Sequence, residues 1–295
     1  MDNTVKIEIV RDIDNKKFTI GNQSGSDWRF LKNGLEGFGD VTNTITYTDN
    51  ATMDGGIVSD THVSKVDRTI QCAYIHPDTN DVARRAAIAF FNVKSTFRVY
   101  VTYAGRTVWA EGYLIKLSAG MTANVKDRLD IMVTFTFPDP YWKSFDDFGK
   151  DIAARTGMIA FPYLCSMDNG PLGTTGGIFS FARIITIYND GDVETRCRAV
   201  IKATGDVENP KLIINNEYVR LIDNLVKDDI IELDFTASPP TVKKNCVNHI
   251  GHCDRTSAFD GMIIERGDNL VEFDADNGTE NMSVSIYYNK RYEAI

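Results

Sequence analysis

Hydrophobic and polar positions alternate with a repeat of two along most of this chain. Val5, Ile7 and Ile9 are separated by Lys6 and Glu8, and Ile70, Cys72 and Tyr74 by Gln71 and Ala73. Phe97, Val99, Val101 and Tyr103 follow the same rule, as do Leu129, Ile131, Val133, Phe135 and Phe137 opposite Asp130, Thr134 and Thr136. A strand turns successive side chains to opposite faces, so each run predicts a half-buried strand. Ala104-Gly105-Arg106 predicts the turn of a hairpin whose second strand is Thr107–Leu117. One segment changes period. Val82, Ala86, Ala89, Phe90 and Val93 recur at helical spacing between Asn80 and Asn92, leaving Asp81, Arg84 and Arg85 on a polar side. Thr79 or Asp78 is placed to cap that helix, and Pro77 stops the strand before it.

The pattern breaks at Phe137-Pro138-Asp139-Pro140-Tyr141-Trp142. Each proline removes a backbone donor and restricts the residue before it, so the preceding strand ends there. Two β-rich domains are expected, over residues 1–142 and 143–295. In the second, 146–158 is compatible with a helix and 168–177 reads as a loop. Short strands then follow at regular spacing: 184–188, 196–203, 211–214, 218–222, 230–235, 262–265, 270–273 and 283–288. Asn215-Asn216, Asp190-Gly191, Arg266-Gly267-Asp268-Asn269 and Asn277-Gly278 supply turns. No βαβ pattern is visible, which favours a sandwich or jelly roll. Residues 28–56 differ again. Glycines punctuate them and polar residues dominate 43–54, predicting a turn and then an extended β-arm with Ile45 and Tyr47 on one side.

Composition adds boundaries to this picture. The 295 residues are 43% hydrophobic and 25% charged, an ordinary globular balance. A formal charge of −9 argues against phosphate-backbone binding as a main task. No apolar run approaches the ~18–20 residues that span a bilayer, and Met1–Lys6 lacks signal-peptide character, so synthesis in a cytosol is expected. Five cysteines, an odd and widely spaced set, do not read as a disulfide framework.

Candidate chemistry is sparse. Cys246, His249, His252 and Cys253 are a ligand set suited to tetrahedral zinc, but the spacing matches no finger or ribbon. A strand there would turn His252 and Cys253 to opposite faces, so the expected reading is an ordinary strand with no metal and no cofactor. His62 and His76 stand alone, and Gly34–Gly39 has no following Lys-Ser/Thr to make a phosphate loop. No enzyme motif is found. The alternative function is a carbohydrate-binding β-sandwich for host-surface attachment, with Tyr287, Tyr288 or Tyr292 stacking on sugar.

Several strings resemble, in order and spacing, the siphophage-type distal tail proteins. They are Gly34-Leu35-Glu36-Gly37-Phe38-Gly39 before a polar arm, Asp54-Gly55-Gly56 before Arg68-Thr69-Ile70, and Ala83-Arg84-Arg85 on the helix. Val101–Arg106, Pro138–Trp142, Asn189–Thr195, Asp254–Phe259 and Arg266-Gly267-Asp268-Asn269 continue the series to Tyr292. The resemblance implies a mainly β protein. Its N-terminal belt domain, sandwich or split-barrel-like, would carry one helix and the β-arm, and its C-terminal domain would be a galectin-like sandwich. It also implies a virion structural protein at the tail tip or baseplate, not an enzyme. Copies would close into a ring, commonly a hexamer, that leaves a central channel for DNA. Partners would be the tail tube protein, a tail-tip or tail-associated lysin or hub protein, and the tape measure protein, with no tight nucleic-acid binding and no membrane insertion. Thr42, Thr44, Ile45, Tyr47 and Thr48 are the expected oligomer interface. Asp40, Asp49, Asp54, Asp60 and Asp67 are the expected acidic channel lining.

Overall fold

The computed structural model describes residues 5–22, 26–49, 54–120, 127–145, 148–151, 153–157, 177–181 and 184–295. The loop expected at 168–177 lies outside them except for Gly177. The chain forms two compact units, Met1–Phe145 with Arg291–Ile295, and Asp146–Lys290. The division expected after residue 142 therefore differs at both ends. Arg291–Tyr292 pairs antiparallel with Trp142-Lys143, and the Arg291 guanidinium donates to Asp139, which ties the last residues into the first unit.

The first unit is built on one large antiparallel sheet. Its elements are β1 (Lys6–Arg11), β2 (Lys17–Gly21), β3 (Trp28–Glu36), β4 (Asn43–Asp49), β5 (Gly56–Val63), β6 (Val66–Tyr74), α1 (Asn80–Phe90), β7 (Thr96–Tyr103), β8 (Arg106–Ala119), β9 (Asp130–Phe137) and β10 (Trp142–Ser144). The order across the sheet is β2-β1-β7-β8-β9-β6-β3, with β10 added beside β8, and the path stays open at β2 and β3. The alternation seen in sequence is the reason for this arrangement. Ile7, Ile9, Ile70, Cys72, Phe97, Val99, Ile131, Val133, Phe135 and Phe137 are all buried in one core. Burying a side chain of this size stabilises by about 1.5–3 kcal/mol.

Helix α1 forms where expected but is rotated. Its buried residues are Asn80, Ala87 and Phe90, whereas Val82, Ala86, Ala89 and Val93 face solvent. Arg84, expected on the polar side, donates to the Gly120 carbonyl. Phe90 and Phe91 pack against Phe18 and Phe97, and these large rings set the phase over the smaller valines and alanines. A single turn of 3-10 helix, Pro77–Thr79, precedes α1, and Thr79 makes no side-chain cap.

In the second unit the sheets are antiparallel throughout. The largest joins Phe148–Asp151, Met282–Tyr288, Thr195–Ala203, Ile230–Asp234, Thr241–Lys244 and Val247–Asn248 in that order; a second joins Ile184–Asn189, Gly267–Asp274, Lys211–Ile214 and Glu217–Arg220, and two two-stranded pairs accompany them. Gly267–Asn269, expected in a turn, is therefore strand. Ala199, Ile201, Leu233, Val284 and Ile286 from the first sheet meet Ile187, Leu212, Val219, Val271 and Phe273 from the second in one core, which makes a β-sandwich. The helix expected at 146–158 is not formed. Phe148–Asp151 and Ala153–Gly157 are strands, the first paired with Ser285–Tyr288. A weak helical preference of a few tenths of a kcal/mol per residue yields to the ladder of a waiting sheet edge. No helix among the described residues is long and apolar enough to cross a membrane.

Candidate functional site

Strands β4 and β5 form a separate two-stranded sheet; β4 lies in the arm expected from the polar composition of residues 43–54, and β5 extends it beyond them. Every residue of β4 is exposed, and of β5 all but Val63. Thr44 Oγ1 meets Ser64 Oγ at 2.7 Å, and Thr61 Oγ1 meets Asn43 Oδ1 at 3.0 Å, so threonine and serine lace the two strands together. The register places Tyr47 opposite Val58 and Thr48 opposite Ile57, with a bulge after Thr46. Ile45, Tyr47, Ile57 and Val58 are 42%, 61%, 63% and 53% exposed. An isolated hairpin is marginal in water, and exposed apolar side chains on a long unpaired edge invite a partner.

The expected interface residues Thr42, Thr44, Ile45, Tyr47 and Thr48 are thus all exposed on or beside β4. Ile57 and Val58, exposed opposite Thr48 and Tyr47, were not among the expected residues, because Gly55-Gly56 masks the start of β5 as a loop. The five aspartates are exposed too. Asp40 precedes the arm, Asp49 ends β4, Asp54 precedes β5, Asp60 is on β5 and Asp67 is on β6. Across residues 40–67 they face one lysine, Lys65, and no arginine.

The arm is rooted in the proline junction. Arg68, fully buried on β6, donates from Nη2 to the Pro140 carbonyl at 2.6 Å and from Nε to the Gly37 carbonyl at 3.2 Å. Its guanidinium lies 4.1 Å from the Trp142 ring centre and 4.4 Å from that of Phe137. Burial pulls the Arg68 pKa down to about 10, with Asp139 opposing, so the side chain stays cationic at neutral pH. Trp142 Nε1 donates to the Phe38 carbonyl, and the two rings stack at 5.7 Å. Residues 37-38 enter the arm and residues 67-68 leave it, so one buried cation fixes both of its ends. Gly37 suits that place because its φ of +79° and the nearby Asp67 carbonyl leave no room for a Cβ.

In the second unit, the segment expected to be a plain strand is not one. Val247–Asn248 is a short strand, Ile250–His252 a 3-10 turn, and Cys246 sits at φ +67°. The four candidate zinc residues do not converge. Cys246 is exposed, while Cys253 is half-buried and pushed up to about 11 by burial, which disfavours a thiolate. The two histidines do come together, with parallel rings 3.9 Å apart. Their third member is Asp223, whose Oδ2 lies 2.9 Å from His249 Nε2 and 2.7 Å from Lys244 Nζ. Burial alone would raise the Asp223 pKa, but the bonds and charge from Lys244, with His249, hold it below the ordinary value.

The tyrosines offered for sugar stacking are mostly inside. Tyr288 and Tyr292 are buried, and Tyr287 lies beneath the Arg198 guanidinium at 5.1 Å. His62 and His76 are exposed and each sits beside an aspartate, Asp60 and Asp27.

Residues 190–292, within the second unit except for the last two, match the family model of siphovirus-type tail components, C-terminal domain. The resemblance drawn from the residues is borne out by that match. No curated protein matches the chain. Among solved structures it is similar to the Dit protein of phage SPP1, described as a paradigm of the hub adsorption apparatus in phages infecting Gram-positive bacteria. Identity is 11% over 97% of this chain and 98% of that one, at a TM-score of 0.64. It is also similar to a chain of the phage P2 baseplate in its activated conformation with calcium, at 12% identity, 99% coverage of both chains and a TM-score of 0.56. These likenesses bear out the mainly β fold.

Proposed function

We propose that the chain is a distal tail protein, a structural component of the phage tail tip whose copies close into a ring joining the tail tube to the tip or baseplate. The reading is carried by the arm. Four large apolar side chains exposed together on a hairpin without a core of its own mark a surface for another copy to cover. A patch that docks on a different patch of the next copy generates a closed ring when the rotation closes, a hexamer in the form that the resemblance implies. The match at residues 190–292 supports the tail assignment, and the clamped root supports an arm held in one direction.

The ring's channel passes DNA, and the aspartates of residues 40–67 line it. A wall of one negative sign lets a polyanion slide, whereas phosphate contacts would hold it. The neighbours in the assembly are the tube protein on one face and a tip, lysin or hub protein on the other, with the tape measure protein reaching the channel. The role is mechanical. Electron microscopy of the purified chain tests it: rings with a central hole are expected, and deletion of residues 42–52 leaves a folded protein that forms none. The same closed oligomer without the arm refutes the proposal.

A further inference from the structure

The Asp223, His249 and His252 cluster lies in the second unit, outside the residues assigned above to the arm, and its geometry points to a ligand. Donor atoms of all three lie within 4.8 Å of one another. Backbone bonds hold them in place: His249 N donates to the Val242 carbonyl, His252 N to the His249 carbonyl, and Ile222 N to the His252 carbonyl at 2.7 Å. The last bond ties the turn bearing Asp223 directly to the turn bearing His252. Asn224 N fixes Asp223 Oδ1 at 2.8 Å, leaving Oδ2 to face the imidazoles. Such outer bonds orient metal ligands in known sites. The His252 ring stacks on His249 and makes no hydrogen bond among the described residues.

We propose that Asp223, His249 and His252 bind one divalent zinc-class ion, with water completing the shell on the exposed side of His252. Two imidazoles and one carboxylate form an established three-ligand set for zinc, and imidazole favours zinc over magnesium or calcium. Ligand distances of about 2.0–2.2 Å place tetrahedral donors roughly 3.3 Å apart. His249 and Asp223 are already closer than that, and the exposed His252 must leave its stack on His249 and turn its ring so that a nitrogen lone pair points at the ion. The ion replaces the bond between His249 Nε2 and Asp223 Oδ2. Lys244 keeps Asp229 and the Asn224 carbonyl, at 3.3 and 3.2 Å, as its other partners. Neither cysteine takes part. The ion would staple two turns that are separate in sequence.

The test uses the full chain, titrated with Zn²⁺ by calorimetry and with Co²⁺ by absorption. One equivalent per chain is expected, with cobalt bands of nitrogen and oxygen ligation and no sulfur-to-cobalt charge-transfer band. H252A, an exposed change that leaves the Asp223–Lys244 pair intact, should weaken binding by more than the ~10–100-fold that outer-shell changes cost. D223N should do the same. Absence of saturable one-equivalent binding overturns the site. So does binding that survives H252A, or a thiolate band lost in C246S or C253S.

Discussion

Removing the guanidinium of Arg68 should loosen the first unit more than any surface change. In Arg68→Ala two carbonyls, Gly37 and Pro140, lose charged donors, at about 1–3 kcal/mol each once left unsatisfied. The stacking on Phe137 and Trp142 adds roughly 1–2 kcal/mol when desolvated, and the emptied space costs further. Against these stands relief from burying a cation whose Nη1 has no partner among the described residues. The net loss is placed at about 3–5 kcal/mol, which sums these terms and discounts them for that relief. Arg68→Met keeps most of the volume and should lose about half as much. All three tryptophans, Trp28, Trp109 and Trp142, lie in the first unit, so urea unfolding followed by tryptophan fluorescence reads that unit selectively. With an m-value of about 2 kcal/mol/M, the Ala midpoint should fall by roughly 1.5–2.5 M. A shift equivalent to less than about 1 kcal/mol would mean that the two carbonyls find other donors and that the cation is no clamp.

Four further outcomes test neighbouring parts of the reasoning. Gly37→Ala forces a side chain into a left-handed position against the Asp67 carbonyl, and should cost about 2 kcal/mol or more in the same urea assay. Asp139 is pushed up by burial but held below its ordinary pKa by Arg291 and Lys143, so its contribution is complete above ~pH 4 and is lost as pH falls towards the folded value. Acid titration of Asp139→Asn should show a shallower decline than the parent chain; an equal slope discards that pairing. The double change Ile45→Asp with Tyr47→Asp should leave monomer stability within about 0.5 kcal/mol while abolishing rings in size-exclusion with light scattering. Duplex DNA should show no shift in a mobility assay near physiological salt, and tight binding would contradict an acidic channel.

Period-two alternation at residues 5–9, 97–103 and 129–137 announced the strands because burial on one sheet face is a local, repeating demand. The prolines at 138 and 140 announced the end of a strand for an equally local reason, a missing donor and a restricted neighbour. The arm was legible as polar residues between glycines. Whatever depended on distant partners was not. The phase of α1 was decided by Phe18 and Phe97, which lie outside the helix. Strand Phe148–Asp151 was decided by an edge more than 130 residues later in the chain. No local pattern marked Arg68 for burial; Trp142 and Pro140 close over it only in the folded chain. His249 and His252 were visible, but Asp223 joins them only because two turns meet, 26 residues apart. Local pattern reports which face of an element must be buried; only the folded chain decides what that face is buried against, since cores and clusters are assembled from residues that sequence order keeps apart.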